Sequence, residues 1–252
     1  MRSKERRAIL LDTLRGGEVD VEALAERFGV SASTVRRDLQ QLSSANAICR
    51  TYGGAILAHA APEASLSQRQ QVNSRQKTAI ARAALALLAD DDALILDAGS
   101  TVAAFGLLLK PRRHRIVTNN LSLVAALSDA PDIALTVLGG TFRATSVSTV
   151  GPLALDGMRR MTADKLFTSA DGVVAGRGLC EASLEQAALK SLMINQAREV
   201  VVLADATKLA RGDQDFWAEL PPRWTLVTDD STTDEQCAPF AAAGARVIRA
   251  EA

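Results

Sequence analysis

Val30–Leu42, VSASTVRRDLQQL, is the stretch that decides the fold. Val35, Leu39 and Leu42 recur at helical spacing with Val30 just ahead of them, so one face of a helix is apolar. Ser31 stands where a hydroxyl can accept a hydrogen bond from a backbone N–H near Thr34, which makes it the expected N-cap. Ser33, Thr34, Arg36 and Arg37 are then left projecting from the first two turns. Those are the positions from which a recognition helix touches base edges and phosphates. Arginine grips a guanine edge or a phosphate through two parallel hydrogen bonds. A lone Arg pair reads equally well as a solvated face, so the flanking residues have to decide.

Upstream, Val19–Gly29 reads VDVEALAERFG: Leu24, Ala25 and Phe28 share one helix face, and Gly29 permits a sharp turn that a Cβ would hinder. Before that, Ile9, Leu10 and Leu14 are expected to form the apolar face of a first helix that Gly16-Gly17 ends. Downstream, Ala47–Leu57 (AICRTYGGAIL) reads as a short hairpin with Gly53-Gly54 at its turn. Arg50 and Tyr52 would line this wing and meet the sugar-phosphate backbone. A plain packing hairpin accounts for Ile48 and Ile56 but leaves Arg50 unexplained. Residues 1–57 are therefore expected to be a winged helix-turn-helix that binds double-stranded DNA.

Charge fits a local contact surface only. Lys plus Arg and Asp plus Glu both number 29, so the net charge is zero. In residues 1–57 nine basic side chains face seven acids, but six of those acids precede Ser31, while Arg36, Arg37 and Arg50 lie beyond it. Three widely spaced cysteines form no CxxC pair, which argues against a disulfide framework and a zinc site. No metal or cofactor is expected. The absence of a signal peptide and of any long apolar run leads to the expectation of a soluble, cytoplasmic protein with no membrane partner.

Residues 58–75 are polar, small and Pro-containing, and read as a linker running into a helix. Residues 76–252 alternate short apolar runs with amphipathic stretches, the pattern of an α/β domain with a mainly parallel sheet. Expected strands are 93–97, 115–118, 134–138, 165–169, 200–204, 225–228 and 246–248. Expected helices are 76–88, 102–109, 121–127, 184–196 and 233–243. Five polar loops follow expected strands: Asp97-Ala98-Gly99-Ser100-Thr101, Thr118-Asn119-Asn120, Gly139-Gly140 with Arg143 beyond, Asp171-Gly172, and Asp205 with Lys208. In a parallel sheet all five share one edge, where open α/β sheets bind ligands. Backbone N–H groups at Ser100-Thr101 and their hydroxyls would suit a phosphate oxyanion. Lys190 lies in an ordinary amphipathic helix and could simply be solvated.

VSASTVRRDLQQLSSANAICRTYGGAI resembles the signature of the DeoR family of bacterial transcriptional regulators, with Tyr52 where the family usually has His and Asn46 where it often has Gly. The order DAGST, TNN, LGGTFR, ADGV, ADATK is similar to the sensor domain of that family. The resemblance implies a fold related to ribose-phosphate isomerases and coenzyme A transferases, and a phosphorylated sugar or related metabolite as effector. It also implies ligand contacts at Asp97, Gly99, Ser100, Thr101, Asn119, Gly139, Gly140, Arg143, Asp171, Lys190 and Lys208. Gln186 stands where the family commonly carries Glu, and a Gln cannot act as a general base.

The expected function is a DNA-binding regulator, a repressor of a carbohydrate operon, acting as a dimer or larger homo-oligomer and not as an enzyme. Two other classes stay open on the residues alone. One is a sugar-phosphate isomerase-like enzyme carrying a regulatory N-terminal domain. The other is an interaction protein whose winged helix binds protein.

Overall fold

The computed structural model describes residues 3–14, 19–44, 48–50, 54–57 and 63–251. The chain divides into two compact units, Met1–Glu63 and Ala64–Ala252.

The first unit contains α1 (Ser3–Leu14), β1 (Val19–Asp20), α2 (Val21–Phe28), α3 (Ala32–Ser44), β2 (Ile48–Arg50) and β3 (Gly54–Leu57). Asp20 caps α2, its side chain accepting from the N–H groups of Glu22 at 2.9 Å and Ala23 at 3.1 Å. Gly29 ends α2 with φ 62°, the left-handed conformation expected of a glycine C-cap, and its N–H bonds back to Ala25 and Glu26. Leu10, Val21, Leu24, Ala25, Val35, Leu39 and Leu42 are buried together, with Phe28 and Val30 partly covered beside them. Ile9 departs from expectation, because it is 39% exposed. Arg6 and Leu10, four residues apart, occupy the inner face of α1, and Ile9 is turned about 100° away from that line. The Leu14 side chain and Gly16-Gly17 lie outside the described residues. β2 and β3 form the antiparallel wing with Arg50 opposite Ala55, and β1 adds to β3 on its other side.

The second unit opens with α4 (Leu66–Gln71) and α5 (Ser74–Ala84). Ser65 and Gln68 form a reciprocal capping box for α4, so residues 64–75 fold with the larger unit, where the sequence was read as the end of a linker. Then follow β4 (Ala93–Leu96), α6 (Ser100–Leu107), β5 (His114–Thr118), α7 (Leu121–Leu127), β6 (Ile133–Val137), β7 (Thr141–Arg143), β8 (Ser148–Val150) and α8 (Pro152–Arg159). The chain continues through β9 (Ala163–Thr168), β10 (Gly172–Val174), β11 (Gly178–Glu181), α9 (Leu184–Gln196) and β12 (Ala197–Leu203). It finishes with β13 (Phe216–Ala218), β14 (Trp224–Asp229), α10 (Asp234–Ala242) and β15 (Ala245–Ala250).

Seven strands form a wholly parallel sheet in the order β6-β5-β4-β9-β12-β14-β15. Alternate residues of the central strands enter opposite cores. Leu94, Leu96, Phe167, Val201 and Leu203 meet α5 and α6 on one face, while Ile95, Leu166, Val200 and Val202 meet α8 and α9 on the other. From β4 the chain runs outward through β5 and β6, then returns to β9 on the other side of β4. That reversal places a topological switch point at the C-terminal ends of β4 and β9, where open sheets hold ligands. The β7-β8 hairpin and the antiparallel β10-β11-β13 sheet add to that frame, and neither was anticipated.

Candidate functional site

In the first unit the apolar stripe of α3 is buried and its opposite face is exposed. Ser31 is the cap: its Oγ accepts from the Thr34 N–H at 3.3 Å and lies 2.9 Å from Thr34 Oγ1 and 2.8 Å from Ser33 Oγ. Ser31, Ser33, Arg36 and Arg37 are exposed, and Thr34 is half-buried. Arg36 reaches Glu22 of α2 at 2.9 Å, with side chains 54% and 68% exposed. An ion pair that open is worth about 0–1 kcal/mol, so a phosphate or a guanine edge can displace Glu22. Arg50 sits on β2 in the wing, while its side chain, together with Tyr52, lies outside the described residues. The third charge of the Arg36-Arg37-Asp38 triplet points inward: Asp38 is 3% exposed and accepts from Arg6 Nε at 2.6 Å.

At the switch point of the second unit, Asp97 and Lys190 are both buried, and the Lys190 ammonium is hydrogen-bonded to the Asp97 carboxylate. Lys190 Nζ also donates to Thr168 Oγ1 at 2.9 Å and to the Ser169 carbonyl at 2.6 Å, and lies 3.2 Å from Glu181 Oε1. Thr168 Oγ1 donates to Asp97 at 2.6 Å, and the Ala98 N–H does so at 2.7 Å. Burial works to lower the Lys190 pKa, but the Asp97 and Glu181 carboxylates outweigh it and hold it above the usual lysine range. Burial pushes the Glu181 carboxyl up from 4.5 to about 7; Lys190 opposes this, and Asp171 and Asp97 add to it. Lys190 is thus an internal cation clasped by two acids, and the reading of it as a solvated helix residue is wrong.

Neither Glu181 nor Thr168 was expected at the site: β11 pairs through the small antiparallel sheet and carries no motif, while Thr168 lies inside the expected strand 165–169 and reads there as an ordinary strand residue. The Glu181-to-Lys190 interval of nine residues spans a strand, a turn and a helix start, which sequence spacing cannot resolve.

The other expected residues lie around this cluster on the same edge. Gly99 has φ 147°, and a Cβ there would collide with Ser169 Oγ. Ser100 and Thr101 open α6 and are buried. Asn120 Nδ2 donates to the Asp97 and Gly99 carbonyls, both at 3.4 Å, tying the second loop to the first. Asn119 is buried, gives its amide N–H to the Thr149 carbonyl at 3.1 Å, and leaves Oδ1 without a protein donor. Gly140 has φ 143° and closes against the Val150 carbonyl, whereas Gly139 faces open space. Arg143 lies on β7, half-buried, and reaches Ser146 Oγ at 3.2 Å. Asp171 is buried, 3.7 Å from Arg69, with Oδ2 unbonded. Lys208 ends the short helical turn Ala206–Lys208 that Asp205 caps, and is half-buried. Lys190 and Asp97 are thus in direct contact, and the rest sit on separate loops of one sheet edge.

A winged helix-turn-helix carried on the same chain as an α/β unit with polar loops at its switch point defines a DNA-binding transcriptional regulator with a sensor domain. Residues 6–61 match the DeoR-like helix-turn-helix domain, and residues 72–238 match the DeoR C terminal sensor domain. The chain belongs to the DeoR family. It is 34% identical over 231 residues to the HTH-type transcriptional repressor GlcR of Bacillus subtilis, covering 91% of this chain and 89% of that one. It is 29% identical over 246 residues to the lactose phosphotransferase system repressor of Lactococcus lactis, covering 95% and 96% respectively. Among solved structures, ribose 5-phosphate isomerase A of Methanocaldococcus jannaschii is similar with TM-score 0.40 and 20% identity, over 54% of each chain. Among the described residues no helix is long and apolar enough to cross a membrane.

Proposed function

We propose that this chain is a cytoplasmic repressor of a carbohydrate operon, released from its operator when a phosphorylated sugar or related metabolite occupies the switch-point loops. The observation that carries the reading is the exposed outer face of α3, where Arg36 and Arg37 stand on a helix whose other face is buried. On the sensor side, Ser100, Thr101, Asn119, Gly139, Gly140, Arg143, Asp171 and Lys208 supply hydroxyls, amides, carboxylate and cations of the kind a sugar phosphate needs. Asn119 Oδ1 and Asp171 Oδ2 are buried acceptors without protein donors, and the hydroxyls of a sugar would satisfy them. Lys190, neutralised by two acids, acts as a frame for Asp97, and the chain works by binding without turnover. A homodimer or larger assembly presents two recognition helices to repeated half-sites. The sensor needs only to prefer one arrangement of readers by about 1–3 kcal/mol.

The test is an operator duplex selected in vitro from random sequence. Binding should weaken steeply with added salt as phosphates are neutralised, and one of a panel of pentose and hexose monophosphates should release it. Lys208→Ala and Ser100→Ala should blunt that release. Salt-insensitive binding, or an equal response in both variants and parent, would remove the reader or those two residues from the assignment.

A further inference from the structure

The segment that leads out of the DNA-reading unit lies against the sensor loops. The Leu66 N–H donates to the Thr145 carbonyl at 2.8 Å, in the turn between β7 and β8. One turn later Arg69 extends to two loops at once, with Nη1 3.7 Å from Asp171 Oδ1 and Nη2 3.5 Å from the Thr145 carbonyl. At the far end of α4, Asn73 takes a left-handed φ of 52° and donates from Nδ2 to Asp205 at 3.1 Å. Lys77, 6% exposed, turns back to donate to the carbonyls of Arg69 and Val72, the latter at 2.6 Å. α4 also packs on α6, the helix that begins at Ser100.

Charge makes this more than a packing contact. Burial lowers the Lys77 pKa, Asp205 opposes that, and the positive charges of Lys208 and Arg69 add to it. Contacts place these groups together: Lys77 bonds to the Arg69 carbonyl, Arg69 lies beside Asp171, and Asn73 reaches Asp205 and Thr207, next to Lys208. Lys77 donates to two carbonyls, and Arg69 is the planar fork of the group, a geometry suited to two phosphate oxygens.

We propose that Arg69 is a further contact for the effector's phosphate group, and that an anion bound there draws Arg69 from Asp171 and shifts α4. α4 begins three residues after Glu63, where the reader unit ends, so in this proposal a shift in α4 is the route by which the bound anion acts on the reader. The inference rests on the proposed sensing of a phosphorylated metabolite and assigns the residue that transmits it.

The experiment uses the full chain with inorganic phosphate and the same panel of pentose and hexose monophosphates. It follows melting temperature, amide exchange in residues 66–73, and release of the selected operator. In the wild type, the active compound should raise the melting temperature and change exchange in 66–73. In Arg69→Gln the concentration needed for half-release should rise by about tenfold or more, the loss of one charge-assisted contact, and the exchange change should vanish. Arg69→Lys keeps the charge but not the fork, and should fall between the two. Arg75→Gln, an exposed arginine at the start of α5, should match the wild type. If Arg69→Gln and wild type are released at the same concentration, Arg69 is overturned and the regulator reading stands. If the wild type ignores every compound in all three measurements, both Arg69 and the proposed sensing of a phosphorylated sugar are overturned.

Discussion

Arg6 of α1 and Asp38 of α3 are bonded at 2.6 Å, and both are buried. The triplet that marks the recognition helix is therefore split by function: two arginines face outward, and the acid that follows them ties the helix to α1. Arg7 reinforces this from the rim, 3.7 Å from the other Asp38 oxygen.

Asp38→Ala should accordingly behave as a folding mutation. Removing one partner of a buried pair leaves the other charge uncompensated, at a cost of about 3–5 kcal/mol. Chemical denaturation followed by a probe in the reader should show that loss. Arg6→Met combined with Asp38→Leu should recover most of it, since apolar replacement of a whole buried pair is often neutral. A double variant as unstable as Asp38→Ala would mean that the pair is not the origin of the loss.

Arg36→Ala with Arg37→Ala should show the opposite pattern. Each bidentate arginine–base contact is worth about 1–3 kcal/mol, so losing both should weaken operator binding roughly thirtyfold or more. Thermal unfolding should barely move, because Arg36 and Arg37 are both exposed and the Arg36–Glu22 pair is an open one. Native affinity in the double variant, measured by fluorescence anisotropy, would contradict the placement of α3 on DNA.

In the sensor, Lys190→Met should destabilise the domain by about 3–5 kcal/mol by leaving Asp97 and Glu181 buried without their cation. Adding Asp97→Asn to it should restore part of that stability. Were Lys190 instead only a ligand contact, Lys190→Met would leave the urea midpoint of the free protein unchanged.

Glu181 predicts a pH effect of definite sign. A carboxyl whose folded pKa lies above its unfolded value holds its proton more tightly in the native state. Its stabilisation is complete below 4.5 and is lost as pH rises towards about 7, a change of about 3 kcal/mol. Glu181→Gln should flatten that part of the stability curve, as read from melting temperatures across the window. A slope unchanged by the substitution would show that another group titrates there.

Much of the architecture could be read directly from sequence. All seven strands of the parallel sheet coincide with expected apolar runs; the central ones, such as β4, β9 and β12, are buried on both faces and leave a near-continuous hydrophobic signature. α7 and α9 follow the expected ranges residue for residue, helped by Asn120 and Ser183 as capping side chains. α8 was hidden because its eight residues PLALDGMR contain a proline and a glycine. The strands of β10, β11 and β13 are three or four residues long, too short for any period to emerge. α4 was hidden inside a polar stretch, although its Ser65-to-Gln68 capping box was present in the letters.

Periodicity, capping residues and turn glycines by themselves marked the helices and strands and the outward face of α3, since these follow from contacts between near neighbours in the chain. The shared edge of the five loops needed the parallel pairing of strands such as β4 with β9, about 70 residues apart. Only the tertiary structure decided that Asp38 is spent on Arg6, that Lys190 is clasped by Asp97 and Glu181, and that Arg69 leans on Asp171. Those pairings join residues 32, 93 and 102 positions apart for Asp38–Arg6, Lys190–Asp97 and Asp171–Arg69. The energy that selects them is the cost of burying a charge without a partner, a quantity that exists only once the strands and helices have been brought together.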